Sequence, residues 1–499
     1  MRFTDEDDFK SDIVVVGGGA AGLTAALSAA RNGADTVLID NNGFLGGLST
    51  TLPWLGFHDR DYRLIVKGLP LEFVHRLQET GAGAPFEYDI KCGSAFSFDS
   101  HMWKCIAMQM CVEAGVKVLF QTRVTGVLQD GNRVTGVIAY DKSGFRKITA
   151  PMVIDCSGDG DVAAMAGAAW KKGRDDDGLV QTPTLVFKLG GVDRDGFIAG
   201  CRNDALNYRE WLADYPKLRT KTVARLDDMR VIVCGGYASL VEKARKAGDI
   251  DLPQTHIVGV KLHRPDEFLV VMTRVLGLDP VNGDSINEAY YHLYRQIPML
   301  VKFFRKYVPG FGNSNLREIA SVLGVRESRR ITGEYTLTEN DLVSGRVFDD
   351  AVCMGAYHID IHRPAGTWVE SKNVKAYTVP LRSLIVKDFE GLMVAGKCFS
   401  ATHEALASTR VVPVCMGMGE AAGVAAVMAL SSGCSVRELD VGNLQNALQF
   451  QGVELGRTLE NPNAELIDKI GQLPLVEDAH SDEYDGVKNS EYWLDNCVS

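Results

Sequence analysis

The chain has 499 residues and a formal net charge of −11, from 53 basic and 64 acidic side chains, with 46% hydrophobic and 23% charged residues. That length supports two or three domains around a large core, and the acidic balance argues against non-specific binding to nucleic acid or anionic membranes. The eleven cysteines are scattered and odd in number, without a C-x-x-C pair. This argues against a disulfide framework or an iron–sulfur cluster and fits a reducing cytoplasm.

Met1 to Asp8 is acidic and lacks an apolar core, so it does not read as a secretory signal. Ile13 to Val16 is a short β-branched run, expected to form a strand buried on both faces. Gly17, Gly19 and Gly22 then fit G-x-G-x-x-G. The first glycine permits a tight turn, the second lets the backbone approach a pyrophosphate, and the third lets the next helix pack closely. Ala20 and Ala21 lie within the turn, Leu23 to Arg31 continues as that helix, and Thr36 to Ile39 is the next strand. Residues 14–30 are uncharged but hold the glycine turn, so no membrane span is expected there. Asp40 ends the unit 18 residues after Gly22. A carboxylate there can accept hydrogen bonds from an adenosine ribose and repels a 2′-phosphate, which disfavours NADP. Asn41 and the double glycine Gly46-Gly47, with Leu48 and Ser49, follow directly.

Further along, Leu69 to Gln78 and His101 to Ala114 are expected helices. Lys117 to Leu128, Arg133 to Tyr140 and Phe145 to Thr149 alternate as a three-strand meander. Met152 to Asp155 is a strand that ends in the small turn Cys156-Ser157-Gly158. Between residues 161 and 375, charged helical patterns (Asn207 to Tyr215, Ser239 to Ala247, Ile286 to Tyr307) mix with strand-like runs (Thr184 to Leu189, Glu267 to Met272). This stretch reads as an inserted α+β substrate and cap domain. The chain returns with Gly391 to Lys397, and a helix rich in Gly and Ala begins near Pro413. Residues 436–499 are polar and acidic, expected to be a helix and a surface-draped tail.

Several pieces carry a resemblance: Gly-Gly-Gly-Ala-Ala-Gly, Leu-Gly-Gly, Gly-Val-Arg-Glu-Ser-Arg-Arg, Val-Ala-Gly-Lys-Cys-x-Ser-Ala-x-His, and Thr-Arg-Val-x-Pro-x-Cys-Met. From about residue 12 to 430 the chain resembles bacterial FAD-dependent oxidoreductases of the glutathione-reductase-type fold, related to the fumarate-reductase and thiazole-synthase flavoproteins. The resemblance implies an α/β fold. Residues 10–160 and 376–435 would form a discontinuous FAD-binding Rossmann-like domain with a β-meander, and 161–375 the cap. It implies one FAD held by the glycine turn, Asp40, Asn41, Gly46, Gly47, Leu48, Ser49, Val124, Cys156, Ser157, Gly158, Gly396 and Lys397. Cys156-Ser157-Gly158 stands where relatives usually have Ala-Thr-Gly, and Lys397 where they often have Arg or Asp. It also implies that the helix from Pro413 aims its N-terminus at the flavin pyrimidine edge, with Met416 and Gly417 as backbone contacts. No second dinucleotide fingerprint follows a strand, so NAD(P)H is not expected as a tight direct partner.

For chemistry, His403 precedes the flavin-facing helix and is a candidate proton shuttle. Arg410 could clamp a substrate carboxylate or offset a reduced flavin. His358, Asp360 and His362 alternate, so on a strand they share one face and could form a polar pocket wall. A metal is not expected. Arg326, Arg329 and Arg330 read as an anion site or as surface ion pairs on a helix end. The reading is a flavin enzyme moving hydride between a small polar substrate (CH–OH or CH–NH) and FAD. The alternative is an ene-type reductase or desaturase acting beside a carbonyl, and the third is a flavin electron-transfer protein, which the long insertion disfavours. A separate electron acceptor or donor is required, and a homo-oligomer is left open.

Overall fold

The computed structural model describes residues 8–362 and 369–473; the expected tail beyond residue 473 lies outside the described residues. Ile13–Val16 forms the middle of a five-stranded parallel sheet, in the order Leu392–Val394, Met152–Asp155, Ile13–Val16, Thr36–Ile39, Lys117–Leu119. Val16 pairs with both Ile39 and Asp155, so the strand ends that carry the glycine turn, Asp40 and Cys156 lie side by side. All four residues of the central strand are buried, as a β-branched run covered on both faces requires.

One cover is a pair of helices, Ala20–Arg31 and Val412–Ser432, whose small residues let the backbones touch. A Cβ at Gly419 would sit 2.0 Å from the Ala21 carbonyl oxygen, and one at Gly423 2.5 Å from that of Ala25. Thr24 Oγ1 donates to Met416 O at 2.7 Å and Ser28 Oγ to Glu420 O at 2.8 Å, satisfying the hydroxyls between them. Val412–Ser432 is the one helix among the described residues long and apolar enough to cross a membrane, and it lies mostly buried inside the protein.

The meander pairs Arg123–Asp130, Arg133–Asp141 and Gly144–Thr149 antiparallel, with Asp8–Lys10 added parallel to the third strand. The single strand expected over residues 117–128 is broken in two. Lys117–Leu119 closes the parallel sheet, and the chain turns at Gln121, which has φ +50. The turn is held from the cofactor side: Gln121 N donates to Asn42 O and Thr122 N to Asp40 O, each at 3.1 Å.

A second hydrophobic cluster gathers residues 185–323 with Ala95. It contains a five-stranded antiparallel sheet ordered Ile232–Gly236, Ile257–Lys261, Phe268–Val270, Phe187–Gly190, Asn315–Ile319. The helix Gly283–Tyr307 lays Leu293, Ile297, Leu300 and Phe304 into this cluster at helical spacing. From Ile331 to Leu455 the chain packs again into the first cluster. The helix expected over 207–215 is instead a short 3₁₀ turn, Glu210–Asp214, followed by the helix Pro216–Ala224, where proline occupies the first turn. Past residue 436 the described chain forms helices Val441–Phe450 and Ala464–Ile470.

Candidate active site

The glycine turn shows three different surroundings. Gly17 has φ +95 and a Cβ there would meet Cys156 O at 2.4 Å; at Gly22 it would meet Gly17 O at 1.7 Å. Gly19 has nothing within 4 Å, so the second glycine opens outward while the first and third are sealed by backbone. Gly19 also caps Ala20–Arg31 without a side-chain bond, which leaves that helix's first N–H groups free for an anion. The loop through Gly46, Gly47 and Leu48 closes on this turn, with Gly46 N donating to Gly18 O at 2.7 Å. In that loop Ser49 Oγ is buried with no hydrogen-bond partner. An open glycine, an uncapped helix and an orphaned hydroxyl together fit a bound dinucleotide.

Asp40 organises the turn. Its Oδ2 accepts from Gly18 N at 2.5 Å, and its Oδ1 from Asn42 N at 2.6 Å and Asn42 Nδ2 at 3.0 Å. Asn42 makes this contact, while Asn41 is exposed. Burial pushes the Asp40 carboxyl above its ordinary value against the pull of these N–H groups. A carboxylate offers roughly four acceptor positions, so a ribose hydroxyl can still bind. Val124 is half-buried in the meander strand, two residues after Thr122. In the third turn, Ser157 N and Oγ donate to buried Asp155 Oδ1 at 3.0 and 2.7 Å. Lys397, after Gly396, donates to Asp159 Oδ1 at 2.5 Å and Ser328 Oγ at 2.9 Å.

The expected contacts of the helix from Pro413 need a correction. The helix starts at Val412, and its first backbone bond is Cys415 N to Val411 O at 3.0 Å. The unpaired donors are therefore Val411, Val412 and Val414, because Pro413 has no N–H. Met416 and Gly417 lie inside the helix, where N–H groups belong to its ladder. The Met416 carbonyl is taken by Thr24, and Gly417 faces Cys353.

Beside that N-terminus is a cavity of about 310 Å³. Leu48, Lys397 and Val411 to Pro413 line one part of it, His358, Asp360, His362, Arg326 and Arg410 another, and valines of the antiparallel sheet a third, with Trp54, Lys91 and Glu210 also in the lining. His358 immediately precedes the strand Ile359–His362, which pairs with Val369–Lys372. His362 Nε2 lies 3.3 Å from Asp360 Oδ2. Arg410 Nη2 donates to Asp360 O at 2.9 Å and Gln181 Oε1 at 3.3 Å. Burial pushes both His358 and His362 down to about 3, so both imidazoles are neutral. Burial opposes the charge on Asp360, yet the His362 imidazole and Arg410 guanidinium beside it hold its carboxyl well below the usual range. Among the described residues no group of three or more His, Cys, Asp or Glu side chains is placed to hold a metal ion.

His403, expected to reach this chemistry, does not line the cavity. It begins the helix His403–Thr409, buried, with Nδ1 2.7 Å from Glu327 Oε2. The ring is out of line for a hydrogen bond, and neither ring nitrogen has a hydrogen-bond partner. Glu327 also accepts from Gln181 N at 3.2 Å and pairs with Arg330. The stretch around it is not a helix end: Arg330 is buried, donating to Ala401 O and Gly173 O at 3.0 Å each, while Arg329 pairs with Asp161 at 2.8 Å. Arg326 alone of the three arginines lines the cavity. Sequence reasoning also missed Lys91, Trp54 and the valine wall, which reach the cavity only through long-range folding.

The profile of the FAD dependent oxidoreductase family matches residues 12–448. Over 129 residues the chain is 30% identical to thiamine thiazole synthase of Aeropyrum pernix, covering 26% of this chain and 43% of that protein. Over 145 residues it is 31% identical to the tRNA uridine 5-carboxymethylaminomethyl modification enzyme MnmG of Dichelobacter nodosus, covering 28% of this chain and 23% of that protein. The chain thus spans less than half the length of these curated relatives. Among solved structures it is similar to a geranylgeranyl bacteriochlorophyll reductase-like protein of Thermoplasma acidophilum, with a TM-score of 0.45 at 13% identity over 98% of this chain and 100% of that one. With the family profile covering most of its length and a dinucleotide cradle at the head of its parallel sheet, this chain belongs to the FAD-dependent oxidoreductases.

Proposed function

We propose that the chain moves hydride between a CH–OH or CH–NH carbon of a small substrate and FAD, with His362 as the substrate's proton acceptor. The observation that carries this reading is the shared cavity, where the uncapped end of Val412–Ser432 meets His362 and its partner Asp360. When bound, FAD supplies a two-electron hydride acceptor or donor at its N5. Residues Gly17 to Gly22, Asp40, Gly46 to Ser49 and Cys156 to Gly158 would hold it, with Val124 at the adenosine end. The N–H groups of Val412 and Val414, at the positive end of the helix, would offset negative charge on the ring.

Within the chain, Asp360 takes the Nε2 side of His362, which leaves Nδ1 as the nitrogen with a free lone pair. As the substrate C–H electrons leave as hydride, its O–H or N–H proton passes to that lone pair, so electrons and charge balance. A base contributes about 10²–10⁴-fold to a rate when its pKa lies near the working pH, so His362, which burial holds at about 3, would act once substrate binding raises it. His358 and Arg410 would position the substrate. Residues 185–323, which share the second hydrophobic cluster, would act as the cap. Arg410 and His358 in the same cavity also support the second reading, reduction of a carbon–carbon bond whose neighbouring carbonyl they would polarise. The ten cysteines among the described residues are all free thiols, which supports a reducing, cytoplasmic setting. The lone dinucleotide fingerprint supports a separate electron partner.

The test is anaerobic mixing of the purified, FAD-loaded protein with a panel of alcohols, amines and enones. Saturable bleaching of the flavin by an alcohol or amine is expected. Bleached flavin reoxidised only by enones would move the role to the second reading, and inertness to the whole panel would remove both.

A further inference from the structure

The cavity carries more positive charge than the two carboxylates that line it, Asp360 and Glu210, compensate. Five cationic side chains line it: Lys91, Arg209, Arg326, Lys397 and Arg410. Arg209 is committed to buried Asp89 at 2.7 Å, and Lys397 to Asp159 at 2.5 Å. Arg410 shares Asp360, whose Oδ2 lies 3.6 Å away, and its buried Nε has no partner. Arg326 has no carboxylate in ion-pair range among the described residues. Its Nη1 donates only to neutral oxygens, Thr182 O at 2.5 Å and Thr184 Oγ1 at 2.7 Å. Burial, then the neighbouring Arg410, pulls Arg326 down to about 9, so it stays charged at neutral pH in surroundings that disfavour the charge. A buried charge is stable only when paired. His358, which is buried, adds a second unmet need, because its Nδ1 has no hydrogen-bond partner.

Another part of the lining has the other character. Val186, Val233, Val258, Val260 and Val271 face the cavity from the antiparallel sheet. These side chains offer nothing to a hydrated or multiply charged group.

Resting on the flavin reading of this cavity, we propose that its substrate carries a carboxylate, paired with Arg326 and Arg410, on an apolar body that lies against the valine wall. One unspent guanidinium and a dry apolar wall suit a monoanion better than a phosphate dianion. A guanidinium pair grips a carboxylate through its planar fork. The bound anion would also cancel part of the positive field on His362, whose imidazole is held down by burial and by the nearby Arg326 charge. Substrate binding and readiness of the base are then coupled.

The probes are 4-methylpentanoate, its uncharged amide, and acetate, which lacks the apolar body. Binding to the FAD-loaded protein is read by calorimetry and by the shift of the flavin absorbance. 4-Methylpentanoate should bind with the amide and acetate each at least about tenfold weaker. Arg326→Met should retain FAD and lose at least about tenfold in acid affinity, while Arg326→Lys recovers part of it. Should the Met variant not fold, the acid–amide comparison on the unaltered protein still decides. Amide binding equal to acid binding, undiminished acid affinity in Arg326→Met, or no acid binding at about 10 mM would overturn the inference. If alcohols or amines bleach the flavin while acid and amide bind alike, this inference fails and the hydride reading stands. If the acid binds selectively while the flavin stays inert to the panel, the hydride reading fails alone.

Discussion

His403 Nδ1 lies 2.7 Å from Glu327 Oε2, and both side chains are sealed from solvent. The pair does not open on the cavity. It supports it from behind, because Glu327 holds the Gln181 backbone N–H and the Gln181 side chain accepts from Arg410. His403→Ala should therefore lower the unfolding temperature while flavin reduction stays within about tenfold of the parent. Glu327→Ala should cost more, about 3–5 kcal/mol, because Arg330 is left buried without its carboxylate. Thermal unfolding together with anaerobic reduction rates checks both. A stable His403→Ala protein whose reduction slows more than about a hundredfold would return the proton role to His403.

The three glycines of the turn should respond differently to the same methyl group. Gly22→Ala places a Cβ 1.7 Å from Gly17 O and should destabilise the protein with or without FAD. Gly19→Ala meets no protein atom within 4 Å, so the apoprotein should fold normally while FAD affinity falls. FAD titration and apoprotein unfolding separate the two outcomes. Asp40→Ala should weaken FAD by about 1.5–3 kcal/mol, through the ribose and the freed Gly18 N–H. Unchanged FAD affinity in both Gly19→Ala and Asp40→Ala would place the cofactor elsewhere.

Glu420 sets a pH dependence. It is buried in the helix that touches Ala20–Arg31; its Oε2 accepts from Leu69 N at 3.0 Å and its Oε1 has no partner. Burial pushes its carboxyl up from 4.5 to about 8, the Leu69 N–H pulling back and Glu72 adding to the rise. A raised folded-state value means that the stability it contributes is present below about 4.5 and is lost as pH rises through about 8. The loss is on the order of 3–5 kcal/mol. Glu420→Gln should match the parent near the lower limit and exceed it in stability above the upper one. Urea unfolding at both ends of that window measures the gap, and a gap that does not change with pH would show that Glu420 ionises as an exposed carboxylate does.

What was readable along the chain was what is local. The strand, glycine turn, helix and acid of residues 13–40 carry their own periodicity and turn chemistry, and the structure has them where expected, with the helix starting three residues earlier, at Ala20. The helices at 69–79 and 283–307 were visible for the same reason. The strand running past Lys117 was misread because its break is imposed from outside, by Asn42 and Asp40 carbonyls on Gln121 and Thr122. The placing of His403 was hidden in the same way. Its place in the chain, just ahead of the helix from Val412, suggested the flavin, but the side chain it lies against is Glu327, which nothing local announces. The valine wall could not be seen because its members come from four separate strands or strand ends of an antiparallel sheet. Alternation at His358, Asp360 and His362 was legible as a polar face, and that face does line the cavity.

The central claim is that His362, positioned by Asp360, takes the substrate proton in the cavity beside Val412. It is tested most directly by stopped-flow reduction of FAD-loaded His362→Ala under anaerobic conditions, using whichever substrate bleaches the parent, with His358→Ala alongside. The account predicts a protein that keeps its FAD and its unfolding temperature while reduction slows by about a hundredfold or more, with a smaller loss, mainly in substrate affinity, for His358→Ala. Reduction of His362→Ala at the parental rate would contradict it.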